Sequence, residues 1–427
     1  MYLDEIIKAQ KRGEAKGITS ICSAHPWVLK AAMQTSEVFK TSEVLLIEST
    51  CNQVNQFGGY TGMTPADFVG YVQGIAKENN FPFENIILGG DHLGPNVWQN
   101  ESAESAMQKS EIMIRDYVKA GFVKIHLDCS MKLGDDSKGV LDMEIPAKRA
   151  AQLAKIAEMS VDAELVPAKL PRYIIGTEVP IPGGAHEHEE AVSVTNVHDV
   201  EQTIQVTREA FYREKLQSAW ERVIGVVVQP GVEFGDDFVL EYQPVKTKNL
   251  SRFIENQAVI YEGHSTDYQT GDGLSNLVRD HFAILKVGPA LTFSFREAVF
   301  ALAMMEDELF SKDTCSNLIQ VLDDVMLRNP EYWQKHYQGT SAEQAFKRKY
   351  SFSDRIRYYW PDPQVQSAMG KLLKNLDEKP LPLSLLSQFM PNQYEHIRRG
   401  EITQTPEAII FDHIHAVLLG YKAACNS

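Results

Sequence analysis

Eight short runs of β-branched and apolar residues recur between residues 18 and 287, each followed by a longer stretch, and no other feature limits the folds open to this chain as strongly. The runs are Ile18–Cys22, Val44–Glu48, Ile86–Gly90, Lys124–Asp128, Ile174–Glu178, Ile224–Gln229, Ala258–Glu262 and Ile284–Val287. Between them lie segments of helical period such as Pro65–Glu78, Ala103–Ala120, Pro146–Ala157, Val200–Lys215 and Gly273–Asp280. Strand–helix alternation of this kind implies parallel strands joined by right-handed crossovers, and eight units predict closure into a barrel. An open doubly wound sheet is the competing arrangement, but no Gly-x-Gly-x-x-Gly follows the first run. The predicted fold is therefore an α/β (β/α)8 TIM barrel over residues 1–300. A helical C-terminal extension, residues 301–427, is expected to pack on it.

In a parallel barrel the strand C-termini and the loops after them form the active face. Every predicted strand here ends in polar, ligand-type residues, beginning with Ser23-Ala-His25 after the first. The second ends in Glu48, followed by Asn52 and Gln53; the third in Asp91-His92; the fourth in His126, Asp128 and Ser130; the fifth in Glu178, followed by Gly183-Gly184. The sixth ends in Gln229, the seventh in Glu262-Gly-His264-Ser265-Thr-Asp267, and the eighth in Lys286. This pattern predicts a polar pocket. His92, Glu178 and His264, from three different strands, are expected to converge on one divalent cation, since two imidazoles and a carboxylate suit Zn2+ or a similar ion. The bland alternative is a buried hydrogen-bond network without a metal.

Neighbouring residues of a regular strand point to opposite sides, so Asp91 cannot chelate beside His92 without distortion; it is expected instead to donate or accept a proton. Asp128 and Ser130, two apart, face the same way. The glycine pairs Gly58-Gly59 and Gly183-Gly184 could offer N–H groups to a phosphate, although such pairs are more often plain turns. Lys286 is placed to meet a phosphate or a pocket carboxylate.

Composition narrows the function. A formal charge of −15 argues against nucleic acid and anionic membrane surfaces as partners, but not against a small anion held by a local cation. The longest apolar runs, such as Ile224 to Val228, are too short to cross a bilayer, and Met1-Tyr-Leu-Asp-Glu5 lacks the features of a secretory signal. Five widely spaced cysteines form no CxxC pair. A cytoplasmic protein with reduced thiols is expected.

Several long motifs resemble the GatZ/KbaZ family, the so-called non-catalytic subunits of class II D-tagatose-1,6-bisphosphate aldolase. They are Leu88-Gly-Gly-Asp-His-Leu-Gly-Pro-Asn96, Ile125-His-Leu-Asp-Cys-Ser130, Gly176-Thr-Glu-Val-Pro-Ile-Pro-Gly-Gly-Ala-His186 and Gly263-His-Ser-Thr-Asp-Tyr-Gln269. The stretches from Asn52 to Pro65 and from Lys286 to Phe293, with Tyr358-Tyr-Trp-Pro361 in the tail, extend the likeness over essentially the whole chain. The resemblance implies a subunit that supports the activity and stability of a separate catalytic class II aldolase subunit in galactitol or galactosamine and N-acetylgalactosamine catabolism, at the tagatose 6-phosphate stage.

A more distant resemblance to catalytic class II aldolases implies catalytic or ligand roles for Asp91, His92, Asp128, Ser130, Glu178, Gly183, Gly184 and His264. It also marks departures: Gln229 stands where those enzymes carry another zinc histidine, and Ser265-Thr-Asp267 replaces their phosphate-cradling loop. Glu48, Asn52, Gln53, Ser265, Asp267 and Lys286 complete the expected substrate-binding set. A metal-dependent epimerase of a ketose or ketose phosphate, working alone by retro-aldol cleavage and re-addition or by proton transfer between Asp91 and Asp128, is the alternative reading.

Overall fold

The computed structural model describes residues 1–39, 44–139, 141–162, 169–176 and 192–426, with side chains 36–39 left aside. Its eight barrel strands are β1 (Ile18–Ile21), β2 (Leu45–Thr50), β3 (Ile86–Leu93), β4 (Lys124–Leu127), β5 (Arg172–Ile175), β6 (Val223–Val227), β7 (Ile260–Gly263) and β8 (Phe282–Val287). They close in the order β1-β8-β7-β6-β5-β4-β3-β2, and every pairing is parallel. The expected barrel is the observed one. Strand ends shift by a few residues; β3 runs on through Asp91 and His92 to Leu93.

The barrel interior is layered. Side chains two apart on a strand share a face, so each inward position has its successor one layer nearer the C-terminal mouth. The lowest layer is apolar: Ile18, Leu46, Ile87, Ile174, Ile224, Ile260 and Ile284 form one buried cluster. The helix Tyr2–Lys11 closes it from below with Leu3 and Ile6, and Asp4 of that helix pairs with Arg172 of β5 at 2.7 Å.

Beyond β8 the helix Pro289–Leu309 leads into a run of shorter helices, and the chain ends in the helix Pro406–Cys425. This last helix packs against Gly271–Arg279 and Pro26–Phe39, the helices that follow β7 and β1. Its Cys425 carbonyl accepts the Gly17 N–H just before β1 at 2.8 Å. It therefore fills the eighth place in the outer ring, and residues 290–405 form an excursion between β8 and that closing helix. A cut at residue 300 falls inside Pro289–Leu309. Pro406–Cys425 is long and apolar enough to cross a membrane by length and composition alone; here Ile409, Ile410, Ile414, Leu418 and Tyr421 are buried.

Candidate metal centre and ligand cavity

Above the apolar floor the interior becomes charged within two residues. Ile18 is succeeded by Ser20, Leu46 by Glu48, Ile260 by Glu262 and Ile284 by Lys286, with Lys124 entering from β4. Glu48, Lys124 and Glu262 are wholly enclosed. The Lys124 ammonium sits 2.7 Å from both Glu48 and Glu262, and Ser20 donates to Glu48 at 2.5 Å. Lys286 reaches Asp91 at 2.8 Å and Glu48 at 3.3 Å. Buried charges persist only when paired. Gly89 makes the layer possible, because a Cβ there would lie 2.7 Å from Glu48 Cγ.

One layer higher, three imidazoles meet. Ring centroids of His92, His126 and His264 are 5.0–5.2 Å apart. One ligating atom from each of them and from Asp91 lies within 4.8 Å of the others. A bulge assembles this group. Gly90 pairs with Ile125 and Leu93 with Leu127, so Asp91 and His92 together stand opposite His126 alone. His92 takes φ +48° to do so, an unusual conformation for a non-glycine residue. The distortion that a regular strand would have required is present, and it turns both Asp91 and His92 inward.

Each imidazole meets a carboxylate: His92 Nδ1 with Asp128 at 2.8 Å, its Nε2 lying 3.6 Å from Asp91, His126 Nδ1 with Asp91 at 3.0 Å, and His264 Nε2 with Glu262 at 3.0 Å. Carboxylate-backed imidazoles with one nitrogen free are the usual dress of metal-ligating histidines. His126 Nε2 is buried with no hydrogen-bond partner among the described residues, an orphan that a cation would satisfy. Around the cluster, Glu48, Asp91, Asp128 and Glu262 face Lys124 and Lys286, an excess of two negative charges that one divalent cation would cancel. The donor set fits such an ion.

Protonation follows the same geometry. Burial pushes the Asp91 carboxyl up, but the charges of His92 and Lys286 overcome this and hold it well below the usual carboxylate range. Burial drives His264 down to about 3, keeping it neutral. His92 is raised: burial lowers it, and Asp91 and Asp128 more than compensate.

Asp91, His92, His264 and Lys286 open onto a cavity of about 550 Å³ between the barrel mouth and the residue 290–405 excursion. Asn52, Gln53, Ser265 and Asp267 also line it. Other expected binding residues do not. Glu48 lies beneath the cavity as a counter-ion. Ser130 stands behind Asp128, donating to it at 2.6 Å. Gln229 folds back to accept the Gly231 N–H at 2.8 Å, bracing its own turn. Asp128 does not line the cavity; its two oxygens meet His92 Nδ1 at 2.8 Å and the Ser130 hydroxyl at 2.6 Å. Glu178, Gly183 and Gly184 lie outside the described residues. His126 stood among the polar endings of the fourth strand, but only the bulge discloses it as the third imidazole.

At the rim, Asp267 Oδ1 accepts the main-chain N–H groups of Gly288 at 3.0 Å and Ala290 at 2.8 Å. These belong to the start of Pro289–Leu309. The positive end of that helix is thus held by the chain's own carboxylate.

Fold and site together define a (β/α)8 barrel protein with a metal-ready centre at the catalytic face and a cavity suited to a small polar ligand. Over residues 3–426 the chain matches the model of the D-tagatose-1,6-bisphosphate aldolase subunit GatZ/KbaZ-like family, and it belongs to that family. It is similar to a probable tagatose 6-phosphate kinase from Sinorhizobium meliloti 1021, with 45% identity and a TM-score of 0.88 over 96% of this chain and 100% of the other. Likeness to a fructose-bisphosphate aldolase from Campylobacter jejuni is faint: 14% identity and a TM-score of 0.43 over 88% of this chain and 92% of that one.

Proposed function

We propose that this chain is the non-catalytic subunit of a class II D-tagatose-1,6-bisphosphate aldolase, needed for full activity and stability of a separate catalytic subunit. It would serve galactosamine, N-acetylgalactosamine or galactitol breakdown at the tagatose 6-phosphate stage. The cytoplasm is the expected compartment, which suits five cysteines that form no disulfide among the described residues. The observation that carries this reading is Asp267. Barrels often seat a phosphate in the loops after the last two strands, at a helix N-terminus. Here Asp267 takes the Gly288 and Ala290 amides that such a seat would use. A ketose bisphosphate would lack that seat, which weighs against independent aldolase turnover.

A second reading, a metal-dependent epimerase of a ketose or ketose phosphate, is favoured by the completeness of the centre. His92, His126 and His264 would hold the divalent cation, zinc by ligand type. When bound, that ion would polarise a ketose carbonyl and its neighbouring hydroxyl. Asp91, ionised and open to the cavity, would accept a proton from a carbinol. Lys286 at 2.8 Å would keep Asp91 charged and fixed. Asp128 would orient His92.

Metal analysis of the purified chain, followed by incubation with tagatose 6-phosphate and fructose 6-phosphate, separates the two. No turnover alone, with a raised melting temperature or rate of an added catalytic aldolase subunit, supports the accessory reading. Interconversion of the two sugars by the chain alone, abolished in His92→Ala, supports the epimerase and sinks the first.

A further inference from the structure

The cations of the cavity are unequally spent. Lys286 is neutralised by Asp91 and Glu48. Arg357, contributed by the turn Arg355–Tyr358 in the 290–405 excursion, lines the same cavity but lacks an acidic partner. Its guanidinium donates to the carbonyls of Ser353 and Asp354 and to the Tyr358 hydroxyl, all neutral acceptors. Among the described residues no carboxylate oxygen comes within 4.0 Å of its nitrogens. The carboxylates of Asp267 and Asp354 feel its charge without touching it.

Three residues on, Trp360 also lines the cavity. It is 2% exposed, and its indole N–H has no acceptor among the described residues. The neighbouring wall is aromatic, with the rings of Tyr60 and Tyr358 4.6 Å apart. A half-buried guanidinium without a counter-ion and an orphaned indole N–H on one short segment both call for the same thing: an acceptor-rich anion.

We propose that Arg357 and Trp360 form an oxyanion seat that holds the phosphoryl ester of a ketose monophosphate, whose carbon chain extends toward His92 and His264. The proposal rests on the reading that this cavity takes a ketose phosphate, and it deepens that reading. With Asp267 filling the helix N-terminus, one free seat remains on the described walls, which matches a monophosphate better than a bisphosphate. The excursion after β8 then supplies half of the ligand site.

Calorimetric titration of the full chain with D-tagatose 6-phosphate, D-tagatose and inorganic phosphate tests this. The phosphorylated sugar should bind far more tightly than the free one. Arg357→Gln should weaken it by about ten- to a hundredfold and leave D-tagatose unchanged. Trp360→Phe, which keeps the ring packing and loses the N–H, should weaken it by several-fold. Should Arg357→Gln fail to fold, Trp360→Phe and the comparison of the two sugars on the unmodified chain still decide. A keto-uronate arm separates the sources of negative charge: weaker binding than tagatose 6-phosphate supports a phosphoryl seat, and equal or tighter binding overturns it. Equal affinity for tagatose and its phosphate, or equal losses for both in Arg357→Gln, also overturns the proposal. Zinc uptake and stimulation of the aldolase subunit are read separately; their persistence in that case would leave the proposed function standing.

Discussion

The floor and the mouth of this barrel are built from the same strands, two residues apart, yet they obey opposite rules. On the floor, Ile18, Leu46, Ile260 and Ile284 interlock as one apolar layer. One step up, Glu48, Glu262 and Lys286 hold charge wholly or almost wholly out of water, with the Ser20 hydroxyl bonded to Glu48. Burial stabilises the floor outright, whereas each charge in the upper layer is tolerated only through its partners. Such a layer is a costly way to fill a barrel. Its use is positional: it fixes the carboxylates that orient His126 and His264.

The sharpest way to break this contrast is to remove the cation that lies nearest to both Glu48 and Glu262. Lys124→Met leaves Glu48 and Glu262 enclosed without their main counter-charge, and stability should fall by about 3–5 kcal/mol or folding should fail. Denaturant unfolding measures it; a loss below roughly 1 kcal/mol would mean that the layer is not held as argued. On the floor, Ile284→Ala should cost about 2–5 kcal/mol by opening a cavity. Zinc affinity should stay unchanged in that variant. A tenfold change in zinc affinity there would show that floor and mouth are not separable.

The same contrast explains what the amino-acid sequence disclosed. Strand periodicity tells which side chains share a face, so the barrel, the pocket, and His92 and His264 at the mouth followed from short apolar runs and their polar endings. Periodicity does not tell depth. Glu48 and Lys124 look alike as strand-end and strand-start polar residues until the register Glu48↔Gly89↔Lys124 sets them in one layer. The bulge at Asp91-His92 is likewise a property of two strands, visible only once β4 lies beside β3. The closing role of Pro406–Cys425 depends on where residue 17 and the helix after β7 end up, which no local pattern encodes.

Asp267 sharpens the comparison at the rim. Burial raises its carboxyl to about 6 against the pull of the Ala290 and Gly288 amides. A folded value above the unfolded one means that the contribution is fully present below about pH 4 and is lost as pH rises through about 6. Relative to Asp267→Asn, which cannot titrate, the unmodified chain should therefore lose up to about 2–3 kcal/mol of stability between pH 4 and 7. Paired melts across that range read the difference directly. A gap that stays flat, or one that moves the other way, would show that this carboxylate is already ionised at pH 4 and tightly held by the helix.

The smallest effect is expected where the mouth is most finely adjusted. In Asp128→Asn the amide oxygen can still accept from His92 Nδ1, so ring orientation and fold survive. What disappears is the negative charge that makes His92 a better donor to a cation through its other nitrogen. Unfolding should shift by less than about 1 kcal/mol, while zinc affinity should drop by about tenfold, the low end for loss of such a backing carboxylate. A competitive chelator titration resolves that factor. If affinity holds while stability falls, Asp128 belongs with Lys124 as a structural charge, and the line between a layer that carries the fold and a layer that serves the ligand lies higher in the barrel than His92.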